Sequence, residues 1–369
     1  MMDRRRIVQQ WNRGAAAALV TLVRAEGSSY RAPGAHLLIG PHGEFSGSIS
    51  GGCLEAEVVR KATWMARNGA VVERYSTLFD DTAEIPFGLG CGGIVDLLIE
   101  STDSPECHAF IQAAEASLDH AVRIAATWLP HEGRALRRAV LSSTGEVLFR
   151  SESLTSTDVA KIADALATGS AVDPSIYIEH LCPPQRLFVL GAGDDAKPVV
   201  TIAALLGWNV IVADGRAQLA RIDRFPGAQS AIATASVEDL GIASKDCVVL
   251  MTHSYEQDRT LLTALLRSGA PPEYIGLLGA SHRSSLLVHE TAAILGRTVA
   301  ECCARIWSPV GLDLGGDGPE AIALAVVSEI QAWHNGKLAA SRRLTAERVA
   351  EQIANRISAR YLQTECASR

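Results

Sequence analysis

Aromatic residues make up only 5% of this 369-residue chain, and cysteine occupies only eight positions. The first scarcity argues against an aromatic-rich β-sandwich. The 31 glycines point the same way, since they suit helices and strands joined by many tight turns. The second scarcity excludes a disulfide scaffold, because so few irregularly spaced cysteines cannot staple a chain of this length. Basic excess is missing too: 34 Lys and Arg stand against 41 Asp and Glu, a formal net charge of −7. Nothing therefore favours binding along a nucleic-acid backbone. No stretch reaches about 18 uninterrupted apolar residues, so no transmembrane helix and no membrane partner are expected. Arg4-Arg5-Arg6 ahead of the apolar run 15–23 loosely imitates a signal peptide. That run stops in Arg24-Ala25-Glu26-Gly27 without a small-residue cleavage pattern, so the chain is expected to be cytoplasmic with reduced thiols.

What is present is apolar content: 48% hydrophobic against 20% charged residues lies far from the disordered regime. At roughly 150 residues per domain the length predicts about two domains. The predicted fold class is α/β, with a Rossmann-like, doubly wound parallel sheet at the C-terminal end and a smaller mixed α/β domain at the N-terminal end. Residues 1–101 form that N-terminal domain, with a short helix ending near Gly14, strands over 15–23, 36–39, 44–49, 70–78 and 94–100, and a helix over 53–68. Residues 102–185 carry no chemical motif and read as a connecting scaffold, with helices over 105–118 and 157–167 and strands near 121–128 and 138–141. Residues 186–335 alternate strands (187–190, 209–213, 247–252, 274–278) with helices (195–206, 257–267, 283–295, 319–333). Such alternation implies a parallel sheet covered on both faces. Residues 336–369 form a charged helical tail with Val349, Ile353 and Ile357 at i, i+4 spacing, which suits capping or packing against a second protomer.

Chemistry concentrates in two places. The first is Gly191-Ala192-Gly193-Asp194-Asp195-Ala196, the G-x-G-x-x-A form of the dinucleotide fingerprint between a strand and a helix. Asp214, 23 positions after Gly191, stands where an acid would accept from ribose hydroxyls. Asp194 and Asp195 sit where helix N-terminal NH groups should meet phosphate, and they can cap the helix instead. His253, Ser281 and Arg283 belong to two further strand ends at the same carboxyl edge and are ligand-facing candidates. Gly315 to Glu320 opens another helix, with Pro319 in its first turn.

The second place is a pair of glycine-flanked cysteines. Cys53 follows Gly51-Gly52 at a predicted helix N-terminus, where the dipole favours a thiolate and the glycines admit close approach. Cys91 lies in Gly88-Leu89-Gly90-Cys91-Gly92-Gly93. The alternative for each is a small buried residue in a tight loop. No metal site is expected, because neither cysteine belongs to a C-x2–4-C pair. The other six cysteines read as structural.

Several segments carry a family resemblance. They are Gly27-Ser28-Ser29 through Ala35, Ser50-Gly51-Gly52-Cys53-Leu54-Glu55-Ala56-Glu57, Gly90-Cys91-Gly92-Gly93, Leu187 through Ala196, Thr252-His253 with Asp258, Gly276 through Gly279, and Pro309 through Glu320. In this order and spacing the chain resembles the XdhC/CoxI family, chaperones that mature and insert the molybdenum cofactor of xanthine dehydrogenase-type enzymes. The resemblance implies that the two ends of the chain together hold molybdopterin, protect it during sulfuration and deliver it to a molybdenum hydroxylase. The implied cofactor is molybdopterin, plain or nucleotide-extended, and a cysteine desulfurase and a homodimer are the further implied partners. Cys53, Cys91 and their neighbours Gly51, Gly52 and Gly92 become the cofactor- or sulfur-handling candidates, and Arg31 suits an anionic group of the cofactor. The chain departs from the family at Asp194, where a His is common, at Ser254-Tyr255 in place of Asp-His, and at Ala321 in place of a second Glu. On this reading the protein is a binding and delivery protein rather than a turnover enzyme. The alternative is an NAD(P)-dependent oxidoreductase that uses the Rossmann turn, with His253 as its proton-transfer residue.

Overall fold

The computed structural model describes residues 1–52, 54–76 and 93–338. Three sheets organise them. Helix α1 (Met2–Asn12) precedes strands β1 (Ala18–Gly27), β2 (His36–Ile39) and β3 (Phe45–Gly47), helix α2 (Glu55–Met65), and strands β4 (Val71–Ser76) and β5 (Gly93–Ser101). These five strands form a sheet in the order β3-β2-β1-β5-β4. Its apolar face, with Val20, Leu22, Leu37, Leu97 and Ile99, packs on Val58 and Ala62 of α2.

The middle segment holds a sheet of its own. Helix α3 (Pro105–Leu118) starts at the Ser104 N-cap with Pro105 in its first turn, both favourable at a helix start. Strands β6 (Arg123–Trp128), β7 (Arg137–Ser142) and β8 (Val147–Arg150) follow. Helix α4 (Ser156–Thr168) is closed by a Thr155–Asp158 capping box and by Gly169 in the left-handed conformation. Strand β9 (Ile176–Leu181) completes an antiparallel sheet ordered β8-β7-β6-β9. One core joins this sheet to the first: Ile7, Leu19, Leu38, Phe110, Val140 and Leu181 belong to a single apolar cluster. Within that junction Arg138 and Glu100 form a bidentate ion pair at 2.9 and 3.0 Å, both side chains at most 2% exposed. Thr127 Oγ1 accepts from Arg138 Nε, and the Glu106 carbonyl accepts from Arg138 Nη1.

The last segment comprises β10 (Arg186–Leu190), α5 (Ala196–Leu205), β11 (Asn209–Ala213), β12 (Ser230–Ile232), β13 (Cys247–Leu250), α6 (Tyr255–Arg267), β14 (Tyr274–Leu277), α7 (Ser281–Leu295), α8 (Val299–Cys303), β15 (Ile306–Trp307) and α9 (Pro319–His334). Its sheet is parallel, ordered β12-β11-β10-β13-β14-β15. That is the doubly wound Rossmann order, whose direction reverses between β10 and β13. Strands β11, β13 and β14 are buried along their whole length, as expected of a sheet with helices on both faces. The fold class is thus the predicted one. No helix among the described residues is long and apolar enough to cross a membrane.

Helix α1 ties the segments together. Arg4 reaches Ser117 and the Cys182 carbonyl, while Arg5 reaches the Gly207 carbonyl and Asn209. Asn209 is the first residue of β11, so this contact lies at the amino edge of the Rossmann sheet, opposite Asp214. Of the six cysteines read as structural, Cys107, Cys247 and Cys302 are buried, whereas Cys182 and Cys303 are exposed. Cys366 and the predicted tail helix lie outside the described residues.

Candidate functional site

The N-terminal motifs meet around the loop between β1 and β2. Gly93, the first residue of β5, pairs with Gly27, and a side chain there would strike the Ser28 carbonyl at 2.2 Å. On the other side the Tyr30 ring lies about 3.5 Å from where a Gly51 Cβ would stand. Tyr30 is nonetheless 71% exposed, so it presents a flat aromatic face beside Gly51 and Gly52. At Gly52, which has φ +106°, nothing among the described residues lies within 4 Å of a would-be side chain, so these residues leave the loop open on that side. The structure therefore brings the 27–34 loop, the 48–52 loop and the start of β5 together. Cys53, Cys91 and Gly92 lie outside the described residues.

A buried carboxylate fixes the 48–52 loop. Glu55, 4% exposed, accepts from Ser48 Oγ (3.0 Å), Ile49 N (3.1 Å), Ser50 N (2.8 Å) and Ser50 Oγ. Ser50 Oγ in turn accepts from Gly52 N and Leu54 N, each at 3.2 Å, and so caps the entry to α2. Burial pushes the Glu55 carboxyl up, but these hydrogen bonds outweigh it and hold the group below its ordinary value. Arg31 is paired with Asp3 at 2.6 Å and is about one-third exposed.

At the carboxyl edge of the Rossmann sheet, Gly191 has φ +124°, and a Cβ there would meet the Met251 carbonyl at 2.3 Å. Only glycine fits that turn. Asp214 accepts from Ala192 N (2.8 Å), Arg216 N (2.9 Å), Arg216 Nε (2.9 Å) and Arg216 Nη2 (2.8 Å). Burial opposes its charge, yet these bonds lower its carboxyl to about 2. Its oxygens serve this chain's own donors and hold the glycine turn against the end of β11. Asp194 is exposed and paired with Lys197 and Arg224.

Asp195 stands at the N-cap position, but its side chain makes no capping bond. This corrects the expectation of a helix cap at this residue. Its carboxylate folds back over Gly193, where a Cβ would lie 2.4 Å from Oδ1, and faces His253 Nε2 at 3.1 Å. His253 itself has φ +61°, a conformation rare outside glycine. Arg283 Nη2 bonds Asp258 at 2.7 Å, and the same buried Asp258 accepts from Thr252 Oγ1 at 2.6 Å. Ser281 is exposed at the start of α7. Asp317 does not cap α9, which opens at Gly318 without a side-chain cap. Among the described residues no group of three or more His, Cys, Asp or Glu could hold a metal ion.

Comparison with known proteins fits both regions. A model described as "XdhC and CoxI family" matches residues 10–76, and one described as "XdhC Rossmann domain" matches residues 187–330. The chain belongs to the XdhC and CoxI family. Similar curated proteins include a probable xanthine dehydrogenase subunit of Bacillus subtilis (strain 168), 28% identical over 327 residues, covering 85% of this chain and 92% of that protein. They also include the molybdenum cofactor insertion chaperone PaoD of Escherichia coli (strain K12), 25% identical over 324 residues, covering 86% and 83%. A crystal structure described as a xanthine dehydrogenase from Bacillus halodurans superposes with a TM-score of 0.78 at 24% identity, over 94% of this chain and 99% of that one. That likeness supports the fold. Sequence reasoning missed Tyr30 and the anchoring role of Glu55, although both fall within or beside the family motifs.

Proposed function

We propose that this protein is a xanthine dehydrogenase accessory chaperone that binds molybdopterin, protects it during sulfuration and delivers it to a molybdenum hydroxylase. The observation that carries this reading is the convergence of the 27–34 loop, the Glu55-anchored 48–52 loop and the start of β5. The residues fit the group. Gly52 leaves the backbone open to close approach, and the exposed Tyr30 ring beside Gly51 offers a stacking face for a planar pterin. Bound molybdopterin supplies a dithiolene and a phosphate; Tyr30 orients the ring system, and Arg31 meets the phosphate by exchanging its contact with Asp3. Cys53 and Cys91 are the proposed sulfur-handling residues; Cys53 falls between Gly52 and Leu54 in the sequence, and Cys91 two positions before Gly93. Membership of the family and the names of the two relatives support the accessory role. A cysteine desulfurase and a second copy of this chain are the proposed further partners. The oxidoreductase reading is weaker, because the Asp195 carboxylate lies over Gly193, where a dinucleotide diphosphate would approach.

Delivery is tested by mixing cofactor-loaded protein with an apo molybdenum hydroxylase under anaerobic conditions. Hydroxylase activity is expected to appear at least tenfold faster than with the same amount of free cofactor. Equal rates with and without this protein would overturn delivery.

A further inference from the structure

Helix α2 packs with one face only. Glu55, Glu57, Val58 and Ala62 point inward and are buried. Arg60, Thr63 and Trp64 point outward, as does Arg67 in the 3-10 turn Ala66–Asn68 that continues the helix. The spacing of these four, i, i+3, i+4 and i+7, makes one continuous stripe. Trp64 is 70% exposed. A lone exposed aromatic residue would mean little. This one stands a helical turn from Arg60 on one side and from Arg67 on the other, and neither guanidinium has a hydrogen bond or an ion pair among the described residues. Lys61 adds a third exposed cation, tied to Glu57. Both acids of the helix are thus buried and all three cations exposed, on a chain whose net charge is −7.

We propose that this stripe is the docking surface for the protein that receives the cofactor, and that the recipient meets it with an acidic face. The inference rests on the delivery reading above. Tryptophan and arginine are the side chains that most often carry binding energy at interfaces. Here the two arginines have no internal partner to give up, so an acidic face gains their charge without breaking a pair. The excess of acids over the whole chain repels such a face, so a cationic stripe fixes where it lands. The position fits delivery. Trp64 stands nine residues beyond Glu55, about 14 Å along the helix axis. A standard interface covers about 800 Å2 per partner, roughly 16 Å in radius. Centred on Trp64, it reaches the Glu55-anchored loop of the candidate cofactor site.

Surface plasmon resonance with the intact protein and the apo molybdenum hydroxylase of the same organism tests the surface. Saturable binding is expected, weakened at least tenfold in Trp64→Ala and in the double variant Arg60→Glu with Arg67→Glu, while thermal unfolding stays unchanged. Lys245→Glu with Arg267→Glu changes the net charge equally, at exposed positions of the Rossmann segment, and is expected to keep the wild-type affinity. Raising salt from about 0.1 M to about 1 M shortens the Debye length from about 10 Å to about 3 Å and should slow wild-type association at least tenfold. No saturable wild-type binding up to about 100 μM, or full affinity in both α2 variants, overturns the proposal. So does an equal loss in the Lys245 and Arg267 variant, which would reduce the effect to overall charge. A dimer in solution that Trp64→Ala dissociates, with hydroxylase affinity kept, makes a second copy the occupant and likewise overturns it. Molybdopterin titration of the same variants separates the two readings. Near-stoichiometric binding is expected in all of them; its absence from the wild type sinks the cofactor reading, while hydroxylase affinity still judges this surface.

Discussion

Arg138→Ala is expected to destabilise the protein by about 3–5 kcal/mol, because it strands the Glu100 carboxylate in the interior without a counter-charge. The pair is bidentate, both side chains are essentially buried, and Thr127 and the Glu106 carbonyl accept two further Arg138 donors. Taking both ions out of water is costly, so the pair itself adds little net stability compared with an apolar pair of like volume. Losing one partner is different. The double replacement Glu100→Leu with Arg138→Met should therefore recover most of the loss. Urea unfolding of the three proteins checks this, and a loss below about 1 kcal/mol in Arg138→Ala would contradict it. The effect should also reach the site. Glu100 lies on β5, the strand that begins at Gly93 beside the 27–34 loop, so loosening its far end frees one side of the candidate cofactor site.

Glu55→Ala is expected to cost about 2–4 kcal/mol, since four buried or half-buried loop donors lose a charged acceptor together. Amide exchange at Ile49 and Ser50 should accelerate sharply, because both amides bond the lost carboxylate. A pH signature accompanies the loss. The Glu55 carboxyl is held below its ordinary value of 4.5, so its contribution is full above that value and fades as pH falls through the lowered one. Glu55→Gln keeps an acceptor but removes that titration, and should flatten the acid limb of the stability curve. Unchanged exchange and an unchanged acid limb would show that the loop is held by something else.

Much of the Rossmann half could be read directly. The buried strands Asn209–Ala213 and Tyr274–Leu277 are short apolar runs bounded by polar residues or glycine, and the helices between them show regular periodicity. Strands β12 and β15, of three and two residues, carry too little sequence to stand out. In the middle segment β8 is largely exposed and shows no clean alternation, so in the sequence only the Ser143-Thr144-Gly145 hairpin turn before it marks it. Tertiary pairing likewise decides β9, which lies on the opposite side of the same sheet, beside β6.

The site divides similarly. Glycine and cysteine mark the N-terminal loops in the sequence, but Glu55 looks like any helix-opening acid until its partners are seen. Glu100 offers one signal, a charge closing the apolar run Leu97-Leu98-Ile99, whereas Arg138 stands beside Arg137 and offers none. The sequence leaves Asp195 open as a cap, because it cannot show a carboxylate folding back over Gly193 toward a histidine some 60 residues away.

The central claim is that the N-terminal loops bind molybdopterin, and anaerobic titration of molybdopterin into the intact protein tests it most directly. The account predicts saturable binding near one cofactor per chain, weakened at least tenfold in Tyr30→Ala and in Cys53→Ala. No saturable binding by the wild type, or full affinity in both variants, would contradict it.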